Sequence, residues 1–449
     1  MPKLEIDGRP IEVPDGTRVI QAARMLGITI PTMCYIEGLE PFTSCMICQV
    51  KNDANGKIIP GCSAPCEEGM KIATMNEEVR KARKFTLELL FSDHVGDCEA
   101  PCHRVCKSHI NIPSMIRHIL EEDMDGAVDV LREAAGPTNL PCHGCEGTCE
   151  PGCRRGKAEA PIAIRDLVTF VHKYGEKNEK FKAEEAAGTK PEKRFNCAIG
   201  KLKEGEIDLF VADAYDPKLM GRIEPSDPVK GFTVEEAKKE GSRCMHCDCR
   251  KAETCSLRDY ADMYGIKQRE YQPDDRSRHA QVRQHGDIMY EPEKCIKCGL
   301  CIRITELQKE TLGLTWIGRG FDVTVSTPFN EGISTAVTTT AAECVDVRAA
   351  AFQNAPRLRL VRGREEKMLE PDGVMPPLGG DTDRALNRLQ RFRRKRNGCL
   401  THVLVLAPSS PAGDTPALRP SVVQPSASFQ RRHVYRRLPP PARIDGRSS

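Results

Sequence analysis

Twenty-two cysteines set the chemistry open to this 449-residue chain, and most of them stand in closely spaced sets. Such sets bind metal, because sulfur is a soft ligand that stays deprotonated when coordinated and suits iron–sulfur clusters or zinc. The first set is Cys34, Cys45, Cys48 and Cys62, four ligands with one close pair, as a 2Fe-2S cluster needs. The second runs from His94 through Cys98, Cys102 and Cys106 to Cys142, Cys145, Cys149 and Cys153. Seven thiols are one short of two 4Fe-4S clusters, and His94 is the candidate eighth ligand. The third set, Cys244, Cys247, Cys249 and Cys255, fits one 4Fe-4S cluster or a structural four-cysteine zinc. The fourth, Cys295, Cys298 and Cys301, has the spacing of a bacterial ferredoxin run, with Thr305 where the next cysteine would stand. Its three thiolates need a remote fourth, for which Cys344 is the candidate. Cys66, Cys197 and Cys399 fall outside the sets, and Cys66 reads as a buried thiol.

These ligands need scaffolds. Residues 3–7 and 10–13 alternate apolar and polar around Asp7-Gly8, which predicts a hairpin. Thr17 is placed to cap a helix over Val19 to Met25 that ends near Gly27. Two short strands are expected around Asn55-Gly56 and a helix over 77–91. Residues 1–92 thus read as a small α+β domain with the first cysteines on a loop. Residues 93–175 read as a helical domain with two 4Fe-4S clusters, and 176–232 as a charged linker followed by a strand in IDLFVADAY. Residues 233–275 carry a helix running into the third set. Residues 284–347 hold short strands around the fourth.

Bulk properties narrow the class. There is no apolar run long enough to span a membrane, and the N-terminus lacks the pattern of a secretory signal. A cytoplasmic location is therefore expected, where dense cysteine means metal rather than disulfides. Aromatic residues make up only 5%, so bound clusters would supply part of the cross-linking. The net charge of +3 conceals an acidic body to residue 347 and a basic stretch over 348–449 with 20 Lys+Arg against 8 Asp+Glu. That stretch has no sustained periodicity and reads as a disordered extension or an out-of-frame translation. Its few aromatics and the acidic body disfavour nucleic-acid binding. No glycine-rich dinucleotide motif follows a predicted strand and no phosphate loop occurs. No catalytic residue is indicated.

Two family resemblances add to this reading. GITIPTMCYIEGLEPFTSCMICQV followed by PGCSAPCEEGMKI resembles the N-terminal ferredoxin domain of the large iron–sulfur subunit of NADH:quinone oxidoreductase, also found in NAD-linked hydrogenases and formate dehydrogenases. It implies a β-grasp 2Fe-2S domain, and the His-x3-Cys that follows that domain in the family implies a ligand role for His94. CEAPCHRVCKSHINIPSMIRHIL and CHGCEGTCEPGCRRGKAEAPIAIRDLVTF are similar to the helical two-cluster domain of the glutamate synthase small subunit and of dihydropyrimidine dehydrogenase. This second likeness implies that Cys98, Cys102 and Cys153 share one cluster, to which the first likeness adds His94. Cys106, Cys145 and Cys149 would hold the other with Cys142. Lys107 stands where that family usually has proline. GRGFDVTVSTPFN and AAECVDV again resemble the NADH:quinone oxidoreductase subunit, whose closing Cys-Pro is replaced here by Arg348-Ala349.

Together the resemblances imply an α+β chain with a ferredoxin-like 4Fe-4S segment after the helical domain. It would carry one 2Fe-2S and up to four 4Fe-4S clusters and pass single electrons as a non-catalytic subunit of an oxidoreductase. The implied partners are a flavin subunit handling NAD(P)H and a catalytic subunit of hydrogenase, formate dehydrogenase or glutamate synthase type. The competing reading is a zinc-stabilised, cysteine-rich interaction scaffold.

Overall fold

The computed structural model describes residues 1–135, 142, 145–178, 194–271, 276–282, 284–286, 288–339, 341, 345 and 352–354. Cys344, Cys399, the charged stretch 179–193 and the basic region from 355 lie outside the described residues.

Strands β1 (Lys3–Ile6) and β2 (Arg9–Glu12) pair antiparallel with Leu4 opposite Ile11, and Asp7 and Gly8 turn between them at positive φ. Helix α1 (Val19–Met25) buries Val19, Ile20, Ala22 and Ala23. It begins one residue later than a Thr17 cap would place it: the Arg18 N–H donates to Gln21 Oε1 at 3.0 Å. Strands β3 (Gln49–Asn52) and β4 (Lys57–Pro60) form the second hairpin, and β5 (Lys71–Ala73) lies between β1 and β3, parallel to β1. The sheet order is β2-β1-β5-β3-β4, over a core of Leu4, Ile6, Val13, Val50 and Ile72. This mixed sheet with its crossover helix is the α+β unit expected for residues 1–92. Helix α2 (Glu77–Asp93) follows, capped by Asn76 accepting from the Val79 N–H at 2.8 Å.

The second region is helical, as its periodicity predicts. Helices α3 (Pro101–Val105), α4 (Ile112–Leu120), α5 (Met124–Ala135) and α6 (Ile164–Lys177) pack around Ile116, Ile119, Val128, Leu131, Leu167 and Val171. The strand expected in IDLFVADAY is instead helix α7 (Glu206–Ala212). Its acidic first turn suits a helix N-terminus, and the buried positions Glu206, Phe210 and Asp213 fall four and three residues apart, a helical spacing rather than the period of two of a half-buried strand. Helix α8 (Val234–Ser242) starts with a reciprocal cap in which Glu236 N donates to Thr233 Oγ1 and Thr233 N to Glu236 Oε2. It packs on α4 and α6, with Gly241 against Ile116, so Cys244 and Cys247 of the third set join the helical core while Cys255 packs against another. Helix α9 (Ser256–Tyr264) packs on α2, where buried Arg83 donates to the Tyr264 hydroxyl at 2.9 Å.

Strand β6 (Ile288–Tyr290), helix α10 (Leu300–Leu307), the hairpin of β7 (Thr315–Ile317) with β8 (Thr324–Ser326), and helix α11 (Ile333–Ala336) surround the fourth set. Strand β9 (Phe352–Asn354) pairs antiparallel with β6, so ordered pairing continues past the change of composition expected at residue 348. Among the described residues no helix is long and apolar enough to cross a membrane.

Candidate metal centres

Cys34, Cys45 and Cys48 lie on the loop between α1 and β3, and Cys62 follows β4. The Gly61 N–H donates to Cys48 O at 3.0 Å, which draws Cys62 alongside Cys48. A side chain at Gly61 would meet that carbonyl at 3.1 Å, so the approach calls for glycine. All four cysteines are buried. They form two thiol pairs that each share a proton. The hydrogen bond from Cys45 lowers Cys34 to about 6 and raises Cys45, and the bond between Cys48 and Cys62 lowers Cys62 and raises Cys48. Cys34 also acts on Cys62, and Cys45 on Cys48, so the pairs face each other. Four buried thiols facing one another, with Cys34 and Cys62 lowered, fit a 2Fe-2S group, whose binding would release their protons. Cys66 stands apart, its thiol pushed up to about 11 by burial.

The remaining thiols fall into a division different from the one their spacing suggests. Cys106, Cys142, Cys145 and Cys149 line one cleft walled by Ile110, Ile112, Ile164 and Val168. Burial pushes Cys142 to about 12 and Cys149 to about 11, and Cys106 adds to both. Cys102, however, shares its surroundings with Cys153, Cys244 and Cys247 rather than with Cys98. Helix α8 delivers Cys244 and Cys247 against α4, and Arg154 offsets the charge at Cys247. Cys98 meets Cys197, Cys249 and Cys255. Cys98 and Cys197 exchange hydrogen bonds: Cys98 N donates to Cys197 O at 3.2 Å, Cys197 N to Cys98 Sγ at 3.3 Å. The hydrogen bond from Cys197 lowers Cys98 to about 7. Cys197, which no spacing pattern includes, is fully buried. Its one sequence signal is arithmetic: the second and third sets hold eleven cysteines, and Cys197 makes twelve, three groups of four.

The hydrogen bond of His94 goes to a backbone carbonyl, a contact that orients a metal-ligating histidine as readily as a core one. Its Nδ1 lies 2.9 Å from Lys294 O and its ring stands edge-on to Phe91. Burial lowers it to about 4, so the imidazole is neutral and Nδ1–H donates to that carbonyl. Cys295, Cys298 and Cys301 surround the start of α10 beside Tyr290. The Lys297 N–H donates to Cys295 Sγ at 3.4 Å. Thr305 plays a structural part, accepting from Leu314 N at 3.0 Å. This group adjoins the first: Cys34 acts on Cys298, and Phe42 from the first cysteine loop packs against Gly299 and stacks on Trp316 at 5.8 Å. Among the described residues no three His, Cys, Asp or Glu side chains converge closely enough to hold a single metal ion. The ligands of a cluster surround a larger body, and four-thiol groups in apolar walls fit one.

Comparison with known proteins agrees with this donor chemistry. Residues 2–77 match the family model for a 2Fe-2S iron-sulfur cluster binding domain. Residues 92–180 match the model for dihydropyrimidine dehydrogenase domain II, 4Fe-4S cluster. The chain therefore contains a 2Fe-2S domain followed by a 4Fe-4S domain. It is 35% identical over 96 residues to the mitochondrial NADH-ubiquinone oxidoreductase 78 kDa subunit of Candida albicans, covering 21% of this chain and 13% of that one. It is 38% identical over 101 residues to NADP-reducing hydrogenase subunit HndD of Solidesulfovibrio fructosivorans, covering 21% and 17%. It is 35% identical over 98 residues to NADPH-Fe(3+) oxidoreductase subunit alpha of Geobacter sulfurreducens, covering 22% and 12%. The matches thus span less than a fifth of these relatives. A solved NAD+-reducing [NiFe]-hydrogenase in the H2-reduced state aligns over 79% of this chain and 87% of its own with TM-score 0.39 and 14% identity, too loose a likeness to bear on fold or function.

Proposed function

We propose that this chain is an iron–sulfur electron-transfer subunit of an oxidoreductase. It would pass single electrons between a flavin subunit that handles NAD(P)H and a catalytic subunit. A bound cluster supplies a one-electron reservoir whose potential its surroundings tune. The observation that carries this reading is the contiguity of the thiol groups. Cys98, Cys102 and Cys106 follow one another at four-residue intervals, about 6 Å per interval where the backbone is helical. Each takes part in a different group. The Cys295 group, in turn, shares one buried core with Cys34 and Cys45. Adjacent reservoirs in one apolar body are what a relay needs, whereas a scaffold needs no such adjacency.

On this reading the chain's own residues ligate and tune. Cys34, Cys45, Cys48 and Cys62 would hold the 2Fe-2S group. Cys106, Cys142, Cys145 and Cys149 would hold one 4Fe-4S group, and Cys102, Cys153, Cys244 and Cys247 another. Cys295, Cys298 and Cys301 would hold a third with a remote ligand. Backbone N–H groups of Gly147 and Lys297, at 3.4 Å from the sulfurs of Cys145 and Cys295, would stabilise the charged thiolates.

The test is metal analysis of the full chain purified without oxygen. The expected result is a brown protein with iron and acid-labile sulfide in about equal amounts, both well above zinc. A colourless, zinc-loaded protein overturns the proposal in favour of the scaffold.

A further inference from the structure

Cys197 has no partner in its own stretch of sequence, yet it sits in one of the most firmly built places in the molecule. The segment 195–199 is pinned along its length. Phe195 N donates to Asp262 Oδ1 at 2.5 Å, Asn196 Nδ2 to Glu99 Oε2 at 2.9 Å, Ala198 N to Gln268 Oε1 at 3.0 Å and Ile199 N to Asp97 Oδ1 at 3.2 Å. Arg258 fastens it from α9, donating to Phe195 O and to Glu99 Oε1, both at 2.5 Å. The Cys197 side chain is fully buried in the core against which Cys98 and Cys255 pack. Its N–H points at the Cys98 sulfur at 3.3 Å. Cys249 is tied to the same spot, its N–H donating to Cys98 O at 3.2 Å. Cys255 occupies the N-cap of α9, where the helix end favours a thiolate.

We propose that Cys98, Cys197, Cys249 and Cys255 are the four ligands of one 4Fe-4S cluster, with Cys197 the ligand that comes from outside every cysteine motif. The inference rests on the reading of this chain as an iron–sulfur protein and goes beyond it by assigning a ligand set that crosses motif boundaries. A buried thiol can be ordinary core packing. Packing alone, however, needs neither a second sulfur at hydrogen-bond range from its backbone nor four cysteines from three segments meeting in one place. The site is also supplied with positive charge. Arg258 lies beside it, and Lys294, held by Glu291 at 2.8 Å to both oxygens, lies on the side of Cys98 and Cys249. Those cations offset the negative charge that four thiolates bring. His94 is not needed, since each of the three groups already has four thiols.

The test is Cys197→Ala in the full chain, prepared without oxygen beside wild type. The expected result is a loss of about four irons and four sulfides per chain and of one reducing equivalent, with the 2Fe-2S signal retained as a marker of folding. Full iron in Cys197→Ala overturns the proposal. Should Cys197→Ala fail to fold, Cys197→Ser is the second variant. It is expected to keep the cluster with an altered EPR signal, and an unaltered signal overturns the assignment. Wild-type protein devoid of iron instead overturns the electron-transfer reading on which this one rests.

Discussion

Partly buried Arg117 and buried Asp248 meet as a two-pronged pair, Nη1 to Oδ1 at 2.9 Å and Nη2 to Oδ2 at 2.8 Å. Asp248 follows Cys247 directly, so the pair orients a thiol-bearing turn. Burial raises the Asp248 carboxyl, but Arg117 outweighs it and holds the group well below the usual carboxylate range. Removing one partner of such a pair leaves an uncompensated buried charge. Arg117→Ala should therefore destabilise the protein by about 3–5 kcal/mol, and denaturant unfolding under anaerobic conditions measures it. A change below about 1 kcal/mol, the range of exposed pairs, would show that this pair does not hold the turn. Cys66→Ser is the contrasting substitution. Cys66 packs in the sheet core apart from the four thiols of its domain, so iron content is expected to stay at the wild-type level.

Helix α7 carries a second buried charge system. His279 stacks on Phe210 with ring centroids 3.8 Å apart, and Arg154 lies over the same phenyl ring at 4.4 Å. His279 Nε2 is 2.8 Å from Asp213 Oδ2 and Nδ1 is 2.8 Å from Glu293 Oε1. Burial alone would lower this imidazole, but the two carboxylates raise it to about 9. A raised histidine contributes stability that is fully present below its unfolded value near 6.5 and is lost as pH rises through 9. The wild type should thus lose up to about 3 kcal/mol between pH 6.5 and 9.5 from this group. His279→Gln should start less stable and show a flatter profile over that window. Parallel unfolding curves for the two proteins would remove the charge role assigned to His279. The same helix marks what could be read at this scale. Helix α8 was legible because Thr233 and Glu236 form a cap with fixed spacing. Helix α7 was not, because IDLFVADAY is a short apolar run that fits strand or helix equally until Glu206 is seen to be tied by Arg276 and the His279 N–H.

At the scale of the molecule, the presence of clusters was legible, and their membership only in part. Cys34, Cys45, Cys48 and Cys62 could be grouped because one domain folds them together over a short stretch. Cys98, Cys102 and Cys106 stand in one run, and the family resemblance that set Cys106 apart still placed Cys98 with Cys102. In the structure they belong to different groups, with only Cys102 inside α3, and their partners arrive from segments near 150, 197 and 250. Only tertiary packing, chiefly α8 on α4 and α9 on α2, makes those partnerships. The central claim is a contiguous set of one-electron centres in one body. Its most direct test is a reductive titration of the anaerobic full chain followed by EPR. The account predicts uptake of about five electrons per chain, one for the 2Fe-2S group and one for each of four 4Fe-4S groups, with signals broadened by coupling between neighbours. Uptake of a single electron with one isolated 2Fe-2S signal would contradict it.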